Sequence, residues 1–335
     1  MPAEWEPHEA TWLSWPHKEA SWPGKFAPIP AVFAAMAGAL AAGEGVHING
    51  APELRASAEA SLRAAGVPLQ RVRWFDIPTN DAWVRDHGPI FLVREAGGRR
   101  ERVLLDWAYN AWGGKYPPFD LDNAVPGKIG EALNLPAWRE TMVLEGGSID
   151  VNGRGALLTT EACLLNPNRN PGLSRKEIEQ KLRAALGVRQ IYWLGEGIAG
   201  DDTDGHVDDL ARFAAPDTVL AAVEADPLDA NYRPLQENLA RLRAMRDENG
   251  RAFNLATLPM PAPVIYEEQR LPASYLNFYI GNRAVLLPVF GCPADREAMA
   301  TLARVFPGRE ICPIECSDMV WGLGACHCAT QQQPR

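Results

Sequence analysis

The feature that most constrains this chain is a unit that recurs along it: two short apolar runs around turn residues, then a helical pattern, then one more apolar run. Runs at 89–93 and 103–109 flank Ala96-Gly97-Gly98. Runs at 148–151 and 156–160 flank Asn152-Gly153, a strong two-residue hairpin signal. Runs at 207–213 and 218–223 flank Ala215-Pro216-Asp217, and those at 275–280 and 283–289 flank Gly281-Asn282. Ser174 with Glu177 predicts a capping box, behind which Ile178, Leu182 and Leu186 repeat at helical spacing. Segments 229–245 and 294–306 read the same way, with Leu235, Leu239 and Leu242 on one face of the first; 122–133 is a weaker equivalent. Strands at 190–194, 252–258 and 310–314 close the units. Units recur every ~50–65 residues, the period of a repeat architecture. A ring of them predicts an α/β propeller with outer helices, against an open sheet with helices on both faces as the rival. No Pro/Gly/Ser-rich linker divides the 335 residues, so one domain over 1–335 is expected.

Polar residues of a catalytic kind sit at the same place in each unit, just before or at the start of the hairpin. They are Trp83-Val84-Arg85-Asp86-His87, Leu144-Glu145-Gly146-Gly147-Ser148, the run Asp201 to Asp209, and Cys326-His327-Cys328-Ala329-Thr330-Gln331-Gln332. In a ring, equivalent positions converge on the axis, bringing Asp86, Glu145, His206, Asp208 and one cysteine together. Such a set suits a guanidinium. Paired carboxylates, Asp86 and Asp208, grip a flat cation by bidentate charge-assisted hydrogen bonds. A thiolate attacks its delocalised, poorly electrophilic carbon. A histidine protonates the departing nitrogen and then activates water, and a buried glutamate orients that imidazole. Read as strands, 206–208 puts His206 and Asp208 on one face and 326–328 puts Cys326 and Cys328 on one face, with His327 opposite. Two thiols therefore remain open.

Other chemistries fit less well. The net charge of −9 argues against nucleic acid and anionic membrane. No apolar stretch reaches the roughly 20 residues of a membrane span. Met1-Pro2-Ala3-Glu4-Trp5-Glu6 has neither the basic nor the apolar region of a secretory signal, so a cytoplasmic location is the default expectation. Six cysteines are too sparse for a disulfide scaffold, and Cys326-His327-Cys328 is too tight for a zinc loop. A calcium loop over the Asp201 run fails at its first and twelfth positions, Gly200 and Ala211. A solvated acidic loop there, or a structural Arg85-Asp86 ion pair, is the plain alternative. His8, His17, His47, Cys163 and Cys292 lack supporting neighbours and read as structural or exposed.

On these residues the sequence resembles the agmatine deiminase family, also called the bacterial-type peptidylarginine deiminase family. The blocks are Asn80-Asp81-Ala82-Trp83-Val84-Arg85-Asp86, Asn110-Ala111-Trp112-Gly113-Gly114-Lys115-Tyr116-Pro117-Pro118, Leu144-Glu145-Gly146-Gly147-Ser148, Leu165-Asn166-Pro167-Asn168-Arg169-Asn170-Pro171, Gly205-His206-Val207-Asp208 and His327-Cys328-Ala329-Thr330-Gln331-Gln332. The resemblance runs nearly end to end. It implies a five-bladed pentein-like α/β propeller, with Cys328 as nucleophile, His206 as acid and base, Glu145 as its partner, and Asp86 and Asp208 on the guanidinium. It also implies agmatine hydrolysis to N-carbamoylputrescine and ammonia in a polyamine pathway, without metal or organic cofactor. Trp83, Trp112, Asp202, Asp204 and Asn277 are the expected substrate contacts, Asp202 or Asp204 meeting a distal amine. The chain departs from the family at Gly322-Leu323-Gly324-Ala325-Cys326 and at Lys115-Tyr116-Pro117-Pro118, which bears on substrate choice. The alternatives are a deiminase of arginine in peptides and a non-catalytic binder of cationic guanidines. The expected partner is a small cationic guanidine, and a homodimer is allowed for.

Overall fold

Each recurring unit folds into its own small sheet, because a lone hairpin buries too little apolar surface to stand without a third strand. The structure, a computed structural model, describes residues 1–335 apart from the Ala96 side chain. Four sheets share one plan: an opening strand, a central strand antiparallel to it, and a last strand parallel to the centre. They are Ile90–Ala96, Arg99–Ala108 and Ala137–Val143; Asp150–Val151, Ala156–Thr160 and Gln190–Leu194; Ala211–Ala215, Thr218–Val223 and Asn254–Pro259; and Tyr279–Ile280, Ala284–Val289 and Glu310–Glu315. Parallel pairing requires a crossover, and helices Val125–Leu133, Arg175–Leu186, Tyr232–Ala244 and Ala294–Val305 supply it.

The fifth sheet has the same plan with its parts taken from both ends of the chain. His8–Ser14 is parallel to Gly45–Gly50, which is parallel to Val72–Asp76, while the antiparallel partner of His8–Ser14 is Gln331–Pro334. A ribbon of Ile265–Tyr266 and Gln269–Arg270 stands outside these five sheets.

Local chemistry fixes the elements. Ser174 and Glu177 form the expected capping box, and the helix stops where Gly187 adopts φ +69°. Ile178, Leu182 and Leu186 on that helix are buried, as are Leu235, Leu239 and Leu242 on Tyr232–Ala244. Central strands such as Ala284–Val289 are buried on both faces, so they read as unbroken apolar runs rather than alternating ones. The connection after Asp150–Val151 has four residues, not two: Asn152 Oδ1 accepts from the Arg154 and Ala156 amides at 2.8 and 3.0 Å. The weak 122–133 pattern splits into two short helices, Asp120–Asn123 and Val125–Leu133.

One expectation fails. Residues 206–208 and 326–328 are not strands. His206 precedes a 3₁₀ turn, Val207–Asp209, and Cys326 to Ala329 form a turn. The same-face argument for His206 with Asp208, and for Cys326 with Cys328, therefore falls. A deeper regularity replaces it. The segments bearing Asp86, Glu145, Asp208, Asn277 and Cys328 each lie just before the strand that opens an antiparallel pair: Ile90–Ala96, Asp150–Val151, Ala211–Ala215, Tyr279–Ile280 and Gln331–Pro334. Among the described residues no helix is long and apolar enough to cross a membrane.

Candidate active site

Glycine is what lets these segments meet. A Cβ built on Gly147 would lie 2.6 Å from His206 Nδ1, 2.8 Å from Asp86 Oδ1 and 3.0 Å from Asp208 Oδ2, so three chemical groups surround one α-carbon. Gly146 is as constrained, its Cβ falling 2.2 Å from the Arg85 carbonyl. The Glu145-Gly146-Gly147 signature thus marks close approach of backbone to functional side chains.

Asp86 is held on both oxygens. Oδ1 accepts from the Gly147 amide at 2.9 Å and Oδ2 from Trp112 Nε1 at 2.9 Å, with His206 Nδ1 3.8 Å away. Trp112 is aimed there by an unusual backbone, Ala111 to Gly114 all having positive φ. Asp208 Oδ2 accepts from His327 Nδ1 at 2.6 Å, while its Oδ1 has no partner. Cys328 Sγ lies 3.8 Å from Asp208 Oδ2 and accepts from Asn277 Nδ2 at 3.1 Å. Asn277 Oδ1 in turn takes the amides of His327 and Cys328 at 3.0 and 3.3 Å, clamping the turn that carries the thiol.

A pocket of about 220 Å³ opens over this cluster, with Trp83, Asp86, Trp112, Tyr116, Asp202, Trp321, Gly322, Gly324 and Cys328 in its lining. Cys328 lines it and Cys326 does not. Cys326 Sγ is buried 3.9 Å from Cys316 Sγ. Gly322 and Gly324 leave room for the Trp83 indole, which a Cβ at either would reach at 2.8 and 2.6 Å. His206, Glu145 and Asp208 are fully buried beneath the lining rather than part of it.

Of the expected substrate contacts, Trp83, Trp112 and Asp202 line the pocket, and the Tyr116 hydroxyl donates to Asp202 Oδ2. Asp204 does not line it. Its carboxylate is taken by Arg169 at 2.5 Å, Asn168 at 2.9 Å and Lys115 at 3.0 Å, a pairing with cations that leaves it no part in the lining. Asn277 touches the thiol and lies outside the lining. Glu145 lies beside His206 as expected, yet its Oε1 accepts from Arg169 Nε at 2.6 Å and its Oε2 has no partner.

Sequence reasoning missed the support. His327 joins Asp208 to Glu4, its Nε2 donating to Glu4 Oε2 at 2.8 Å. Glu4 also accepts from Arg85 at 3.2 Å, from Arg212 at 2.8 Å and from the Ile280 amide at 2.8 Å. Arg212 completes the group with Asp150 at 2.5 Å. Cys163 was read as structural, yet its sulfur, a His206 ring nitrogen and a Glu145 oxygen all lie within 4.8 Å of one another. That trio has donor types suited to a transition metal, but the Arg169 guanidinium already supplies a cation to Glu145.

The electrostatics follow from burial among acids. Burial pushes the Cys328 thiol well above its ordinary pKa; Asp208, Asp209 and Asp86 push it further, against the Asn277 hydrogen bond. Burial alone would lower His206, but Asp86, Cys163 and Asp208 outweigh it and hold the imidazole well above its usual value. Burial would likewise raise Asp208, yet the His327 hydrogen bond and charge bring it below the usual range. Asp86 is raised, chiefly by burial, with Asp208 and Glu145 adding to it against His206. Burial among carboxylates thus favours the protonated form of the Cys328 thiol.

Comparison with known proteins agrees with the reach of the sequence blocks. The pattern of the Porphyromonas-type peptidyl-arginine deiminase family matches residues 1–334. An agmatine deiminase of Stutzerimonas stutzeri (strain A1501) is 41% identical, the alignment covering 100% of this chain and 95% of that protein. One from Medicago truncatula is 38% identical, with 100% and 96% covered. Among solved structures, the agmatine deiminase of Enterococcus faecalis superposes with a TM-score of 0.93 at 34% identity, covering 100% of this chain and 95% of that one. Coverage from Met1 almost to the last residue takes in every segment around the cavity, and the chain belongs to the Porphyromonas-type peptidyl-arginine deiminase family.

Proposed function

We propose that this chain is a hydrolase of guanidino C–N bonds, that Cys328 is its nucleophile, and that agmatine is its substrate, giving N-carbamoylputrescine and ammonia. The observation that carries the reading is a thiol beside the Asp208 carboxylate and a buried imidazole beside the Asp86 carboxylate, with Asp86 and Cys328 lining one pocket. The agmatine deiminases at 38–41% identity support the choice of substrate. The five repeated sheets support a five-bladed propeller formed as one domain, with the cavity on its axis.

In this mechanism Asp86 and Asp208 hold the guanidinium flat. Its charge offsets the carboxylates that keep Cys328 protonated, so the thiol ionises once substrate is bound. The thiolate sulfur bonds to the central carbon. His206, held in the imidazolium form by its carboxylate neighbours, gives a proton to the departing nitrogen, which leaves as ammonia. The neutral imidazole then takes a proton from water as the oxygen bonds to the thiouronium carbon. The C–S bond breaks as the adduct's hydroxyl forms the carbonyl and gives its proton to solvent, releasing the neutral ureido product and the thiolate. Trp83 and Trp112 flank the alkyl chain, and Asp202 meets the distal amine.

A panel of agmatine, arginine and a blocked arginyl peptide, read by ammonia and ureido product, tests the reading. Agmatine is expected to have the highest kcat/KM. Preference for the peptide would move the assignment to protein deimination, and calorimetric binding without turnover would make the chain a binder. A second expectation concerns the thiol. A cationic haloacetamidine should inactivate the enzyme faster than a neutral haloacetamide of the same size, and to lower pH, because it brings the charge that ionises Cys328. Equal rates would contradict substrate-driven ionisation.

A further inference from the structure

Cys163 is a fully buried thiol that the mechanism above does not use. It sits on the short helix Glu161–Leu164, which begins where the Thr160 hydroxyl accepts from the Cys163 amide at 3.2 Å. The same hydroxyl donates to the Gly205 carbonyl at 2.6 Å, so one side chain ties the thiol's backbone to the residue before His206. A Cβ on Gly205 would come 3.3 Å from Ala162 Cβ, and glycine there lets the two segments touch. The juxtaposition of Cys163 and His206 is thus built by the fold.

His206 needs such a neighbour. Its Nδ1 looks toward Asp86 Oδ1 at 3.8 Å, and neither ring nitrogen has a hydrogen-bond partner in the ligand-free geometry. Glu145 is only half available to it, since Arg169 holds one carboxylate oxygen. The Cys163 sulfur, a His206 ring nitrogen and a Glu145 oxygen all lie within 4.8 Å of one another.

We propose that Cys163 is a positioning residue for His206: with Glu145 it holds the imidazole from the side of the Glu161–Leu164 helix and sets the direction in which His206 delivers its proton. The proposal deepens the deiminase reading and rests on it. A thiol suits the task because it stays neutral while its S–H rotates. It donates to a neutral ring nitrogen and accepts from an N–H of the imidazolium, weakly in both cases. The imidazole changes charge twice per turnover, and a partner of this kind can stay with it in both states while favouring the imidazolium modestly. Burial and Glu145 push the Cys163 pKa up, which keeps its proton in place against the pull of His206 and Arg169. No proton is transferred to or from it.

Cys163→Ala and Cys163→Ser in the full chain test this. In the alanine variant kcat for agmatine should fall at least about tenfold with KM little changed, part of the ~10²–10⁴ that a positioned acid–base contributes. Serine, which also donates and accepts, should recover much of the loss. The groups facing His206 are Asp86, Asp208, Glu145 with its Arg169, and Cys163; the first two and Cys163 raise it. Removing the thiol should therefore move the basic limb of the pH profile to lower pH in the alanine variant and not in serine. In ligand-free protein carrying ¹⁵N-histidine, the His206 ring, assigned with His206→Gln, should titrate at lower pH in Cys163→Ala than in wild type.

Wild-type kcat and limb in the alanine variant would overturn the proposal. So would equal losses of kcat and thermal stability in both variants with the limb unmoved, which is the signature of packing alone. A wild-type protein inactive on every guanidine would strike the deiminase reading instead, and the ring titration would still decide the role of Cys163.

Discussion

Replacing Cys328 by serine is expected to reduce turnover to on the order of 10⁻⁴ of wild type or below, as for other covalent nucleophiles. The loss should appear in kcat at similar agmatine affinity, because Asp86, Trp112 and Asp208 remain in place to bind the cation. Calorimetry on the serine variant measures that affinity directly. Cys326→Ala should keep most of the activity, since its sulfur packs against Cys316 away from the pocket. If Cys326→Ala were the silent enzyme and Cys328→Ser the working one, the nucleophile would have been misassigned.

The second large effect belongs to a residue far from any motif. Glu4→Ala should destabilise the fold by about 3–5 kcal/mol, the usual cost of removing one member of a buried charge group. Glu4 accepts from Arg212, Arg85 and His327, and without it two buried guanidiniums lose a counter-charge. Activity of the folded fraction should fall too, because His327 is then free to turn away from Asp208. Chemical denaturation and kcat on the same samples separate the two losses.

The pH dependence carries a definite sign. Burial would raise Glu4, but Arg212, His327 and Arg85 outweigh it and hold its pKa well below the ordinary 4.5. Its contribution to stability is therefore complete above about pH 4.5 and is lost as pH falls toward the depressed folded value. Wild type should lose stability steeply in that acid range. Glu4→Gln should be less stable throughout and show a shallower acid limb. Parallel acid limbs for the two proteins would remove Glu4 from the account.

Much of this was legible in the chain. Hairpin turns and helical spacing repeat locally, so four of the five sheets could be parsed from apolar runs. Asp86, Glu145, His206, Asp208 and one of Cys326 and Cys328 could be grouped because each sits at the same point of its unit, the choice of Cys328 coming from the family resemblance. The sheet built from His8–Ser14 and Gln331–Pro334 could not, since its antiparallel partners lie at opposite ends of the sequence. Its role follows from pairing, which no local pattern records.

The support around the site was hidden for a related reason. Glu4, Arg212 and Asp150 are ordinary charged residues in their own neighbourhoods, and only burial against distant partners makes them consequential. Cys163 looked like a small apolar filler, the common fate of a free cysteine. Of the two aspartates offered for a distal amine, Asp202 lines the pocket while Arg169 and Lys115 claim Asp204. The strand reading of 206–208 failed because residues that crowd Gly147 are placed by tight turns. Alternation along a strand has no bearing on such positions.

The antiparallel pairing of His8–Ser14 with Gln331–Pro334 has a kinetic side. Contacts between segments more than 300 residues apart carry the largest loop-closure entropy in the chain and tend to form late. The Cys328 sulfur, the proposed nucleophile, sits three residues before that pairing. Partly folded molecules would thus have their carboxylates and imidazole drawing together while the sulfur is still absent. Cys328 takes its final place only when the two ends of the chain have paired.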